Sequence, residues 1–376
     1  MRQSEESAGS HAELTLRAGD ADRWRTNAAV RSSIRAVRYI GTLPRRHTNL
    51  WVLFGQDGGQ SIDLGDRTLF VFSDTLLAAR TVSRPHHQVP LVFRGEVGSQ
   101  GVFLANCAGT AASTNLRDAW ASIDYYFDPM GFPREILPAT MRERAHEIRF
   151  WPEHGAYLNG CVYLYYLGIQ TVDPTSIWGF RNVGSGLARF DPATGECERL
   201  LVRGGWRMWR PLGVDMHFGV QVVRDGEFCY VFGSVRHGLF SQAILARVRP
   251  DDIADLDAYT YLKSTEPEWS DSLDDACDLG PCAGDFSVSH NAHLGRYLML
   301  YVNPYEKTLT VRTAEHIWGP YSEPRAIVAV PHAETTELVY LAFEHPRFTA
   351  DGGKTVFVSY CQPHFTNNSL LALKFR

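Results

Sequence analysis

Five segments of this chain set a carboxylic acid ahead of a short turn and an aromatic-rich strand. They cover residues 56–75, 152–168, 214–234, 284–303 and 343–362. The acids are Asp57, Glu153, Asp215, Asp285 and Glu344, spaced roughly 60 to 95 residues apart, as in a long structural repeat. Carboxylates crowded around one point repel each other, and the repulsion keeps protons on some of them near neutral pH. Such a group can give and take protons, so the chemistry these residues predict is acid–base catalysis. Histidines accompany the acids in four of the segments: His154, His217, His290 and His345.

The elements that must carry these acids are strands. Apolar runs such as Leu69-Phe70-Val71-Phe72, Val162-Tyr163-Leu164-Tyr165-Tyr166 and Cys229-Tyr230-Val231-Phe232 are too short for membrane spans and rich in β-formers. Asp-Gly, Gly-Gly and Thr-Gly pairs at Asp225-Gly226, Gly352-Gly353 and Thr194-Gly195 supply tight turns between them. A strand-and-turn repeat of this length predicts an all-β fold, a five-bladed β-propeller with an acid-lined central pocket. The alternative is a β-sandwich of unrelated hairpins. The expected blades cover about 48–108, 146–203, 213–263, 283–328 and 338–376, within one domain over 27–376. The strand-like stretch 34–42 would close the ring, and residues 1–26 read as a disordered tail. An insertion over 109–144 carries Trp120, Tyr125, Tyr126 and Phe127, which could lie over the pocket and stack on a ligand.

Composition narrows the partners. The net charge is −5 and basic residues are scattered apart from the arginine-rich stretch 24–46, so no nucleic-acid surface is expected. No segment reads as a membrane span or secretory signal, and seven cysteines form no disulfide framework, which together point to the cytoplasm. Cys277 and Cys282 read as free thiols. His86-His87 is a loop pair, and no HxxxH or HxH pair with a third ligand occurs. Neither a metal nor a cofactor is therefore expected, with a structural calcium in the channel left open. Gly-x-Ser-x-Gly, P-loop and dinucleotide fingerprints are also missing.

The motifs as a set are familiar. GQDGGQSIDLGDRTLFVFSDT, FWPEHGAYLNGCVYLYYLG, FGVQVVRDGEFCYVFGS, DFSVSHNAHLGRYLMLY and HPRFTADGGKTVFVSY, in that order, resemble the landmarks of the DUF4185 family over about residues 48 to 376. That family is similar in fold to five-bladed propeller glycoside hydrolases of the furanosidase and arabinanase type, and some members cleave D-arabinan internally. The resemblance implies a glycoside-cleaving scaffold. Where members commonly carry Glu-Leu-Ser-Val, this chain has Asp285-Phe286-Ser287-Val288, one methylene shorter at the acid. Members are also frequently exported. A small glycoside, or a biosynthetic acid–base step such as a cyclisation or elimination, then competes with a polymeric substrate. A non-catalytic sugar-binding propeller is the third possibility.

Glycoside cleavage needs one carboxyl to protonate the leaving oxygen and another to activate water or attack the anomeric carbon. Asp57, in a glycine-rich turn over 55–59 whose small neighbours allow a sugar close approach, is expected as base or nucleophile. Asp285, Asp215 and Glu153 are the candidates for general acid. Trp151 offers Glu153 an apolar neighbour and a sugar a stacking face. His154, His217, His290, Glu344 and His345 are expected to contact the substrate. Asp74 reads as the cap of a blade turn.

Overall fold

The structure is a computed structural model and describes residues 13–14, 34–44, 51–79, 102–176, 179–210, 215–237, 240–330, 339–362 and 368–376. Its strands form five antiparallel sheets. The first strand of each sheet touches the first strand of the next: Trp51–Asp63, Ile148–Leu158, Asp215–Asp225, Ser287–Asn291, Tyr340–Glu344 and back to Trp51–Asp63. Five inner strands therefore form a closed ring. This is a five-bladed β-propeller.

The apolar residues explain why the ring closes. Five buried clusters each bridge one seam between neighbouring blades rather than one central core. Middle strands such as Cys161–Thr171 are buried on both faces, because each blade packs against two neighbours. Their sequences accordingly run almost continuously apolar. Asn159 and Gly160 both take positive φ, 51° and 85°, which matches the tight hairpin joining Ile148–Leu158 to Cys161–Thr171.

Ile34–Thr42 pairs antiparallel with Asn368–Phe375 and becomes an outer strand of the fifth blade. The chain's two ends thus share one sheet, which covers a strand edge that would otherwise be open. Of the expected tail, only Glu13–Leu14 is described, as a two-residue strand on Ile34–Thr42; the rest lies outside the described residues. The His86-His87 pair and most of the arginine-rich stretch also lie outside them.

Two boundaries differ from expectation. The first blade continues through Cys107–Ala111 and Asp124–Tyr125, so much of the expected insertion is blade. Short helices at Leu116–Ala121 and Met141–Ala145 are capped by Asn115 and Thr140. Trp120 and Tyr125 are buried in the first blade, and the Tyr126 hydroxyl bonds the Pro192 carbonyl at 2.7 Å. These three aromatics are seam filling rather than a stacking lid. The third blade likewise extends over Glu268–Ser270 and Pro281–Cys282, beyond its expected end at about residue 263. Among the described residues no helix is long and apolar enough to cross a membrane.

Candidate active site

Asp57 sits mid-strand on the innermost strand of blade one, where register shifts at Gln56/Gly58 and Gly58/Gln60 interrupt regular pairing. Such bulges re-aim a side chain that regular alternation would send into a seam. The expected glycine-rich turn is therefore a bulged strand. Nor does Gly59 make room for a sugar: a Cβ there would lie 2.2 Å from the Trp120 ring, so the missing side chain admits the indole. Asp57 is buried and accepts a 2.7 Å hydrogen bond from the Tyr340 hydroxyl, across the blade one–five seam. Burial pushes its carboxyl well above the usual range, and the charges of Asp74 and Asp285 add to that. The Tyr340 bond works the other way, because it stabilises the ionised form. Burial and the Asp57 charge in turn hold Tyr340 protonated.

Glu153 also occupies a bulge, between Pro152 and Gly155 of the blade-two inner strand. His217 lies on the blade-three inner strand, and Asp285 on the bend entering the blade-four strand. Donor atoms of Glu153, His217 and Asp285 all lie within 4.8 Å of one another. Glu153 is raised well above the usual carboxylate value by burial and then by Asp285, with the Gln60 amide opposing. Asp285 is raised by burial; His217 counteracts this and Asp215 reinforces it. Two carboxyls this close hold a proton between them rather than ionise together. The Nε2 of His217 and the Oε1 of Gln60 are buried without a hydrogen-bond partner among the described residues.

Beside this cluster, Asp74 is a correction to the expected turn cap. It is buried within Thr68–Ala79 and accepts a 2.7 Å bond from the Trp151 indole nitrogen. Burial raises it to about 6, while Arg149, 3.7 Å away, and Trp151 pull it down. The Trp151 ring is half-buried, with the Arg149 guanidinium 5.3 Å from its centroid and Phe180 edge-on at 5.1 Å. Its orientation is thus fixed from three sides.

The remaining candidates separate. Asp215 is exposed at the start of its strand and reaches the cluster through its charge on Asp285. His290 is exposed and packs on Tyr297. The Nδ1 of His154 accepts from the Val222 amide and its Nε2 meets the Ser61 carbonyl, both at 3.3 Å, so it links three blades, and burial holds it neutral by lowering its value to about 4. His345 is fully buried between the hydroxyls of Ser61 and Ser359, at 2.9 Å each, with burial lowering it to about 3. Neither ring keeps a nitrogen for a ligand. Glu344, the last residue of its strand, is buried and accepts from Ser289 at 2.7 Å. Burial raises it to about 7 with no other acid acting on it. It stands apart because Tyr340, four residues earlier, is the part of that strand that reaches Asp57.

Tyr340, Asp74, Arg149 and Gln60 escaped the sequence reading. Only Asp74 carried a signal, an acid two residues past the apolar run 69–72. The others become visible only when inner strands from different blades meet.

A five-bladed propeller with clustered carboxyls where its inner strands converge defines the class of this protein. Residues 43–364 match the family described as "Domain of unknown function (DUF4185)", and the chain belongs to that family. No curated protein matches it. Among solved structures, it is similar to a protein of Bacteroides ovatus ATCC 8483, provisionally assigned as a hydrolase. That match has a TM-score of 0.61 and 13% identity over 99% of this chain and 96% of the other. It is also similar to a GH43_1 enzyme from Xanthomonas citri complexed with xylose (TM-score 0.49, 11% identity, 92% of each chain). The catalytic domain of the Coprinopsis cinerea GH62 α-L-arabinofuranosidase gives a TM-score of 0.45 and 10% identity over 92% and 98%. At these identities the shared property is the fold.

Proposed function

We propose that the chain is a glycosidase-type hydrolase acting at the anomeric carbon of a furanoside or other small glycoside, in a pocket lined by these carboxyls. The observation that carries this reading is the pairing of two distinct carboxyl units. Asp57 is braced by a tyrosine, and Glu153 is crowded by Asp285. In this reading Glu153 keeps a proton and delivers it to the leaving oxygen. Asp285 raises the proton affinity of Glu153, and the exposed Asp215 tunes Asp285 from the rim. Asp57, whose ionised form the Tyr340 bond favours against burial, acts on the other side of the bond, as base toward water or as nucleophile at the anomeric carbon. Trp151 gives the sugar ring an apolar face, and His217 contacts its hydroxyls. A phosphorylated or otherwise anionic sugar is disfavoured by the accumulated negative charge.

The test is a screen of aryl furanosides and aryl pyranosides with the full chain, following release of the phenol. Turnover of at least one neutral glycoside is expected. No turnover across both panels overturns the reading.

A further inference from the structure

We infer that Glu153, His217 and Asp285 form a binding site for one divalent transition-metal ion. Three observations carry this. The donor atoms, an oxygen from each carboxyl and a ring nitrogen, converge within 4.8 Å although they come from three different blades. His217 is only 9% exposed, and its Nε2 is buried with no hydrogen-bond partner among the described residues, an arrangement that leaves a good ligand atom unused. Finally, the two adjacent carboxyls, Glu153 buried and Asp285 half-buried, must share a proton or meet a positive charge, and a cation bound between them would supply that charge.

One imidazole and two carboxylates are a borderline-to-hard donor set, suited to Zn2+ or Mn2+. Around a four-coordinate ion at about 2.1 Å, donors stand about 3.4 Å apart, so any pair of these donors closes by at most about 1.4 Å on binding. Three protein ligands leave a position for water or a sugar oxygen. The short-range spacing that betrays most metal sites is missing because each ligand belongs to its own blade.

The site stands on this geometry alone; only its consequence rests on the proposed function. A cation held by Glu153 occupies the oxygen that would protonate the leaving group, so the metal acts as an inhibitor of glycoside turnover.

The experiment is calorimetric titration of the chelator-treated full chain with ZnCl2 and, separately, MnCl2. One site per chain is expected, with affinity for at least one of the ions reduced tenfold or more in His217→Ala and in Glu153→Gln. His316→Ala, which removes an exposed surface histidine, should leave it unchanged. Melting curves accompany each variant, and Asp285→Asn is read instead where a variant fails to fold. Absence of a binding isotherm with both ions overturns the inference, as does undiminished affinity in a folded His217→Ala or Asp285→Asn variant. Metal binding without any glycoside turnover leaves this inference standing and overturns the hydrolase reading. Turnover without metal binding does the reverse.

Discussion

Two regions of this propeller use the same residue types to opposite ends. At one, Glu153, His217 and Asp285 converge with polar atoms left over, near Asp57 and its tyrosine. At the other, the adjacent Glu344 and His345 are sealed between blades, with the carboxylate bonded by Ser289 and both imidazole nitrogens bonded by serines. Both are buried and both shift their proton affinities. Burial and perturbed acidity alone do not separate a working site from a structural one. Partnering does. Full hydrogen bonding marks His345 and His154 as staples between blades, whereas under-partnered groups facing one another mark a place built for something else.

The comparison can be broken at either region. The largest effect is expected from Glu153→Gln, which removes the transferable proton yet keeps shape. Turnover of an active aryl glycoside should fall about a thousandfold or more, about 4 kcal/mol of transition-state stabilisation, with the melting temperature preserved. A variant retaining near-native turnover while folded would remove Glu153 from the chemistry.

Next comes Glu344→Gln, a change in stability. The folded value of Glu344, about 7, lies above its ordinary value of 4.5. At pH below the unfolded value the group is protonated in both states and takes nothing from stability. Between the two values the unfolded chain releases its proton first, so stability falls as pH rises, and the loss is complete above the folded value. The shift corresponds to about 3 kcal/mol. Glu344→Gln should therefore match the parent near pH 4.5 and exceed it by up to about 3 kcal/mol at pH 8 in denaturant unfolding. No difference between the two pH values would place the Glu344 carboxylate in water rather than in the seam.

Smaller still is Tyr340→Phe. The bond it deletes favours ionised Asp57, so the carboxyl's proton affinity should rise and the acidic limb of the pH–rate profile should move upward. The rate at neutral pH should drop about tenfold to thirtyfold, about 1.4 to 2 kcal/mol. A lower rate with an unmoved limb would reduce Tyr340 to a packing residue.

How much of this was legible in the sequence follows from how far each feature reaches along the chain. The five blades were readable because each is local: an apolar run, a turn and a second apolar run within about 60 residues. Closure by the strand at 34–42 was readable because an open sheet edge requires it. The ends of blades one and three were not, since the short edge strands Asp124–Tyr125, Glu268–Ser270 and Pro281–Cys282 have almost no pattern of their own. Within the site, Asp57, Glu153 and Asp285 share a place in the repeat and were visible as a set. Glu344 shares that place in sequence but not in space, because its strand presents Tyr340 instead. Asp74 read as a turn residue because its partners, Trp151 and Arg149, belong to the next blade. Pairing between blades is long-range, and no local spacing encodes it.

The central claim is that the converging carboxyls perform chemistry rather than hold the fold, and Asp57→Asn tests it most directly. The substitution keeps size and can still accept the Tyr340 bond, but it deletes the charge that a base or nucleophile must have. The rate on an active aryl glycoside and the melting temperature are measured on the same preparation. The expected rate is lower by about a thousandfold or more, with a melting temperature at or above that of the parent, since burial opposes the ionised carboxylate that Asn cannot form. A folded Asp57→Asn protein that turns substrate over at the parent's rate would contradict it.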